Sequence, residues 1–282
     1  MSPRIIGATR GEIFCNCRVK HYPSGRAQLS VYSADIIRVP GWEASDQSGG
    51  SCYCSDAPAD ALGNLMRAKR RARSAVADLA LSNEFKYFVT LTLDKEKVNR
   101  YDEKEVIRKL NNWLDNRVRR NGLIYILVPE RHKDGAIHFH GFFNDALPVV
   151  DSETLDTGAG KPKKPRSNAQ RQRWLSDGAH VVYNLPKWSL GFSTAIELYG
   201  NYEAAVGYVC KYISKAQEKI GGRWYYSGGD LARPEVTYHQ AIFYQILDLY
   251  RVKPFTVDVL NCQGLSVYTT EEELWNLHGL NC

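Results

Sequence analysis

"GLIYILVPERHKDGAIHFHGFF", residues 122–143, holds two apolar runs joined by a polar turn, and it predicts the centre of the fold. The runs 122–128 and 136–143 are rich in β-branched and aromatic residues, and "KDG" between them is a turn signal. Alternate side chains of a strand point to the same side, so His138 and His140 share one face and Phe139 takes the other. Two imidazoles on one face are either solvated or hold a metal ion.

The neighbouring segments extend this hairpin into an α+β fold. "FKYFVTLTL", residues 85–93, predicts a strand with alternating apolar and polar positions. Helical periodicity predicts helices from about Pro58 to Leu81, from about Asp102 to Arg120, over 201–220 and over 238–250. "HVVYNL" predicts another short strand. Strands linked by hairpins with helices between them predict an α+β protein with a central antiparallel sheet.

The chain divides into three predicted parts. Residues 1–55 are β-rich and turn-rich, with a hairpin turn at Pro23–Gly25. Residues 56–250 form the main domain, in which the polar, basic segment 151–180 reads as a mobile loop or insertion. Residues 251–282 are a tail without a clear pattern.

Composition and charge favour a protein that binds a polyanion. The 282 residues are 44% hydrophobic, contain no apolar run of membrane-spanning length, and begin without the pattern of a secretory signal, so we expect the cytoplasm of a host bacterial cell. The net charge is +6, and basic residues concentrate in 66–74, 117–120 and 161–174. A single block of this kind is commonly a solvated face, but three blocks around one site favour nucleic acid.

The cysteines indicate a reduced protein. There are seven, an odd number, and no export signal. Two C-x-C pairs, at Cys15 and Cys17 and at Cys52 and Cys54, have a spacing shorter than the usual zinc knuckle. Semi-buried thiols are the simpler interpretation, with a structural zinc site as the alternative.

The predicted helix 201–220 carries a polar stripe. Five side chains fall within one narrow sector: Tyr208, Lys211, Tyr212, Lys215 and Lys219. Two tyrosines one turn apart often merely pack at a surface. Alternatively, a phenol attacks a phosphodiester, provided that lysines and a cation stabilise the developing negative charge.

A metal ion would need a third ligand beside the imidazoles. Glu130 ends the strand before the turn, and the hairpin brings it beside His138. A carboxylate oxygen suits Mg²⁺ or Mn²⁺, so Glu130, His138 and His140 are the predicted ligands. His132 is the nearest competitor, although it lies closer to the turn.

Three segments in order resemble the motifs of the HUH endonucleases: "FVTLTLD", "VPERHKDGAIHFHG" and "YVCKYISK". This superfamily includes rolling-circle replication initiators of plasmids and small single-stranded DNA phages, and the third motif is similar to the type with two tyrosines. "WYYSGGDLARP", 224–234, also resembles a segment of these proteins, and the likeness covers about residues 60–235. It implies a ferredoxin- or RRM-like sheet of about five antiparallel strands, with the two-histidine strand central and helices outside.

The resemblance also implies an activity. His138 and His140 bind the metal ion, Tyr208 and Tyr212 are nucleophiles that form a 5′-phosphotyrosine link, and Lys211 and Lys215 accompany them. The substrate is a single strand or an origin hairpin, stacked on aromatic side chains such as Phe88 or Trp188. The chain has no GxxxxGK[ST] motif, so a host helicase and a host polymerase would be partners.

Three other functions stay open. A relaxase or a transposase would use the same site on a different substrate. A nucleic-acid-binding regulator would use the histidines and tyrosines only for packing or stacking. A zinc hydrolase would use His132, His138 and His140 and would need no tyrosine.

Overall fold

The chain forms two compact units in a computed structural model that describes residues 5–7, 14–39, 61–200, 202–257 and 261–278. One unit is Ala59–Ala232 and the other combines Met1–Pro58 with Arg233–Cys282. The sequence placed the boundaries at 55 and 250 and treated both ends of the chain as separate parts. Each unit is described by itself.

The unit Ala59–Ala232 contains four helices and seven strands among its described residues. The helices are α1 (Ala61–Ser82), α2 (Glu103–Asn121), α3 (Asn168–Ser176) and α4 (Tyr202–Lys215). The strands are β6 (Tyr87–Leu93), β7 (Tyr125–Arg131), β8 (Ile137–Phe143), β9 (Val150–Asp156), β10 (His180–Asn184), β11 (Gly191–Glu197) and β12 (Tyr226–Gly228).

These strands form one antiparallel sheet in the order β12-β7-β8-β6-β11-β10-β9. The α+β class, with an antiparallel sheet and flanking helices, is therefore confirmed. The sheet has seven strands, where about five were expected. The difference arises mainly on one side, because β9 pairs with β10 inside the segment 151–180 that was predicted to be a loop. The strand predicted at "HVVYNL" is confirmed as β10.

Alternation along the strands gives the sheet two different faces. One face packs against α2 and forms a large apolar core, which includes Leu91, Leu110, Trp113, Leu127 and Phe139. Helix α2 begins where predicted, because the Asp102 carboxylate caps it by accepting bonds from two backbone N–H groups. The opposite face carries the even-numbered residues of β8 and packs against α4 and α1 at the β7 side.

Strand β8 is an inner strand that is held closely on both sides. Its neighbours β7 and β6 pair with it along its whole length. Gly141 follows the second histidine, and a Cβ atom there would lie 1.8 Å from the carbonyl oxygen of Ile126. Only glycine therefore permits β7 to approach β8 so closely at this point.

Helix α4 is shorter than the predicted helix 201–220. It ends at Lys215, so Lys219 is not part of the polar stripe, and this prediction was wrong. The chain turns away because Glu218 pairs with Arg131 and the backbone N–H of Gly221 donates to Glu103. The segment 238–250 is likewise only partly helical, since a strand precedes its helix.

The second unit is built from both ends of the sequence. Its strands are β1 (Ile5–Gly7), β2 (Phe14–Cys15), β3 (Cys17–His21), β4 (Arg26–Tyr32), β5 (Ile37–Arg38), β13 (Glu235–Ala241), β14 (Phe255–Val257) and β15 (Cys262–Thr270), and its helices are α5 (Phe243–Tyr250) and α6 (Glu271–His278). The predicted hairpin at Pro23–Gly25 joins β3 to β4.

A six-stranded sheet in the order β1-β13-β3-β4-β15-β14 unites these segments. Residues of the predicted tail thus pair with residues of the predicted N-terminal extension, since β15 is the partner of β4. Asn16 ties the two parts together, because its side chain bonds the carbonyl oxygens of Tyr32 and Ala241 and accepts the backbone N–H of Ala241.

Cys15 and Cys17 are buried free thiols of this unit. Cys52 and Cys54 lie outside the described residues, so the possible zinc site stays a prediction. Across the described ranges, no helix combines the length and the apolar character that crossing a bilayer demands.

Candidate active site

Strand β8 presents His138 and His140 side by side on the sheet face that α4 covers in part. Both rings are half-buried, whereas Phe139 between them is fully buried in the opposite core. Strand β6 fixes the two rings through its register. Thr90 pairs with His140 and Thr92 with His138, and each hydroxyl lies within 3.2 Å of the Nδ1 atom of its histidine.

Glu130 lies where the hairpin predicted it. It pairs with His138 across β7 and β8, and its Oε2 atom is 3.0 Å from Nε2 of His140. Two ligands at right angles on one Mg²⁺ ion, each bonded at about 2.1 Å, would be about 3 Å apart. The Glu130 and His140 donors therefore fit a shared cation.

The third predicted ligand is less well placed. No group of three histidine, cysteine or carboxylate side chains in the described part of the chain is already arranged around a common metal position. The His138 ring lies 5.3 Å from the ring of His132, centroid to centroid. The His132 side chain is 59% exposed and its Nδ1 atom is 3.4 Å from Asp134.

The tyrosine helix lies directly against the histidine strand. The Tyr212 ring stacks on the His140 ring with a centroid distance of 4.3 Å and an angle of 3° between the planes. The Tyr212 hydroxyl donates to the Tyr208 hydroxyl over 3.0 Å. Tyr208 is 49% exposed and packs edge-on against Phe88 of β6. Two phenols and two imidazoles thus form one cluster.

The apolar side of α4 holds the helix in this position. Val206, Val209 and Ile213 are buried, and helix α1 packs alongside. The Tyr202 hydroxyl at the start of α4 donates to the carbonyl oxygen of Ala80 in α1. Side chains one sector away on α4 are therefore directed to the histidines.

A cleft of about 670 Å³ opens beside the cluster, and its lining includes Glu130, His132, Tyr212 and Lys215. Of the two predicted lysines, Lys215 lines this cleft, whereas Lys211 is exposed on α4. A polyanion entering the cleft would meet an ammonium group, a carboxylate and a phenol together.

Burial shifts the protonation of the cluster. It lowers the pKa of His138, and it lowers the pKa of His140 to about 4, so both rings are neutral near pH 7, the form that binds metal ions. Burial raises the pKa of the Glu130 carboxyl, although Lys215 and His132 act in the opposite direction. Burial and the bond to Tyr208 raise the pKa of Tyr212, so this phenol needs assistance to act as a nucleophile.

Two sequence-based expectations about the surroundings were wrong. Trp188 is only 4% exposed, because its Nε1 atom donates to the backbone of Thr92 and its ring packs on Trp113, so it offers no stacking surface. The basic block 117–120 lies at the end of α2, on the opposite face of the sheet, so three blocks do not surround the site. Phe88 is half-buried beneath Tyr208.

Sequence reasoning missed the threonines that contact the histidines. "TLT" repeats at the same interval of two as "HFH", and matching periods on adjacent strands were the available signal. Strand β11 was also missed, although "GFSTAIE" contains several strand-forming residues.

Fold and site together define a protein with a tyrosine–histidine cluster on one face of an antiparallel sheet. Residues 86–217 match the family model of the replication-associated protein ORF2. The matched range runs from the start of β6 to just beyond α4 and so contains the whole cluster. This match supports a rolling-circle replication initiator, and hence a protein that binds DNA. Comparisons with curated proteins and with solved structures gave no match.

Proposed function

We propose that this protein is an HUH endonuclease of the two-tyrosine type, which nicks and rejoins single-stranded DNA at a phage or plasmid replication origin. The observation that carries the proposal is the stacking of Tyr212 on His140, whose Nε2 atom faces Glu130. A tyrosine nucleophile and the donors for a cation are thereby close to a single position.

The chemistry is a transfer of the phosphodiester to tyrosine. A phenol oxygen of Tyr208 or Tyr212 attacks the phosphorus atom and forms a 5′-phosphotyrosine bond, while the bond from phosphorus to the 3′ oxygen breaks. The phenol loses its proton and the departing 3′ oxygen gains one. The free 3′-hydroxyl then primes synthesis, and the link retains the energy needed for rejoining.

Glu130, His138 and His140 would hold Mg²⁺ or Mn²⁺, which when bound polarises a phosphate oxygen and stabilises negative charge. The donor set of two neutral imidazoles and one carboxylate is chemically suited to such ions. Lys215 adds a positive charge on the phosphate side of the cleft. Lys211, exposed one turn earlier, would contact the strand outside the cleft.

Two nucleophiles so close together suit repeated cutting. The hydroxyls of Tyr208 and Tyr212 are 3.0 Å apart, so either can reach the same phosphate. One would hold the first 5′ end while the second cuts the regenerated junction. Strand unwinding and synthesis would come from a host helicase and a host polymerase.

A covalent-adduct assay tests this function. The protein is incubated with circular single-stranded DNA and Mn²⁺, and the adduct is detected on a denaturing gel, followed by mapping of the peptide that carries the nucleotide. We expect an adduct with the unaltered protein and none with the double variant Tyr208→Phe/Tyr212→Phe, since neither ring then has a nucleophilic oxygen.

Tyr199→Phe is the matched control, because Tyr199 is also exposed and also stacks on a histidine, His180, at 4.9 Å. This variant should form the adduct normally. An adduct that persists in the double variant would refute the proposal. DNA cleavage without an adduct would favour a hydrolase, and DNA binding without cleavage a regulator.

A further inference from the structure

A row of side chains crosses four strands on the face that carries the histidines. Glu130 on β7 pairs with His138 on β8, His138 pairs with Thr92 on β6, and Thr92 pairs with Phe192 on β11. Neighbouring strands are about 4.8 Å apart, so Phe192 stands about 10 Å from His138 along this row. The row leads from the proposed cutting site to an aromatic ring.

Phe192 is unusually exposed for an aromatic residue on an inner strand. Its side chain is 68% exposed, whereas Trp188 and Phe142 nearby in the chain or on the same face are buried. Strand β11 pairs with β6 on one side and with β10 on the other, so the ring is mounted on a rigid support. A rigid, open aromatic face is what base stacking needs, and stacking tolerates any base.

The surface beyond Phe192 is strongly basic. The sheet continues from β11 through β10 to β9, and the connection 157–176 next to β9 contains six basic residues and no acidic one. Lys163 pairs its backbone with Leu155 of β9, which fixes this connection at the edge of the sheet. Lys161, Lys163 and Arg166 are exposed. This charge complements a phosphate backbone.

From this geometry we infer that Phe192 stacks a base of the bound single strand close to the scissile phosphate. The strand passes from the cleft at β8 over β6 and β11 toward the basic edge at β9. This inference rests on the proposed function and adds a binding subsite and a direction to it. The ligand is a single-stranded nucleic acid, because a paired base would not offer its face to the ring.

Fluorescence of 2-aminopurine tests the subsite. The probe is placed at successive positions on either side of the nicking site in an oligonucleotide, and the Tyr208→Phe/Tyr212→Phe background prevents cleavage. We expect strong quenching at one position. Phe192→Tyr should keep the quenching, and Phe192→Leu, which keeps apolar bulk but has no π face, should abolish it. Loss of one stacked base should weaken binding about 10- to 100-fold.

The comparison of leucine with tyrosine separates stacking from a structural effect, because both side chains retain the apolar contacts of β11. Unchanged affinity and unchanged quenching in Phe192→Leu would overturn the inference. Equal loss in Phe192→Tyr and Phe192→Leu would overturn it as well. The proposed function is judged separately by adduct formation in the protein with both tyrosines, so an adduct without a Phe192-dependent signal rejects the subsite alone.

Discussion

At the scale of single residues, Thr90 and Thr92 act on the histidines. Each hydroxyl touches Nδ1 of one ring, at 3.1 Å for His140 and 3.2 Å for His138. A hydroxyl both donates and accepts, so it stabilises a ring orientation in which Nε2 is directed away from β6. Groups that orient metal ligands in this way commonly change metal affinity 10- to 100-fold.

The double variant Thr90→Val/Thr92→Val should therefore bind Mn²⁺ at least about tenfold more weakly, because valine keeps the shape and removes the hydroxyl. Titration of free Mn²⁺ by electron paramagnetic resonance measures the affinity without any DNA. Thr194→Val is the control, since Thr194 lies on the same face and pairs with Thr90 but is one strand further from the histidines. Equal affinity in the double variant and the control would contradict this role.

Parts of the site were predictable from local rules, and one part was not. The shared face of His138 and His140 follows from the period of two in a strand, and the place of Glu130 follows from a hairpin with a short turn. The stacking of Tyr212 on His140 joins residues 72 positions apart and depends on how α4 packs on α1 and β7. A tyrosine stripe indicates chemistry but cannot specify which strand it meets.

At the scale of elements, the basic connection 157–176 distinguishes one edge of the sheet. Its anchoring uses some of its charge, since Lys164 pairs with Glu153 and Arg171 with Asp151. Lys161, Lys163 and Arg166 remain exposed toward solvent. Each cation that contacts a phosphate of a single strand contributes about 0.7 to the slope of log K against log salt.

Replacing Lys161, Lys163 and Arg166 by alanine should therefore make the salt dependence of single-strand binding shallower by about 2. Fluorescence anisotropy at several salt concentrations measures this slope. The triple variant Arg108→Ala/Arg119→Ala/Arg120→Ala removes the same charge from exposed positions of α2, which packs on the other face, and should leave the slope unchanged. A larger effect from the α2 variant would place the strand on the wrong side of the sheet.

The elements also show where sequence patterns lose their meaning. Composition alone predicted a loop at 151–180, because lysine, proline and glycine dominate it, yet β9 and β10 pair there and Lys163 joins them through its backbone. Backbone pairing is insensitive to such composition when a partner strand is available. The end of α4 was missed for a similar reason, since the contacts that end it come from Arg131 and Glu103 far away in the sequence.

At the scale of the whole molecule, the discontinuous unit depends on few long-range connections. Asn16 is 8% exposed, and its amide replaces missing ladder bonds by contacting Tyr32 and Ala241 from both its oxygen and its nitrogen. Buried partners left without a bond cost about 1–3 kcal/mol each. The pairing of both chain ends could not be predicted, because β4 and β15 are separated by the whole of the other unit.

Asn16→Ala should accordingly speed amide exchange of β13 and β3 at least tenfold, since three bonds are lost and an unbonded pair of carbonyl groups remains. Hydrogen–deuterium exchange with peptide resolution measures the change. Amides of β7 and β8 belong to the other unit and serve as the internal reference. Protection of β13 that stays at the level of the unaltered protein would show that the sheet does not rely on Asn16.

The pairing of β3 and β4 with late-made strands has a consequence for biosynthesis. The β3–β4 hairpin leaves the ribosome early, but β13 and β15, which cover its two outer edges, are translated only after Ala59–Ala232. For most of translation the hairpin therefore presents two unpaired edges, while the inserted unit already has all its own strands. The nascent chain is most vulnerable to proteases and most dependent on chaperones at its beginning, and it is relieved only when the last strands arrive.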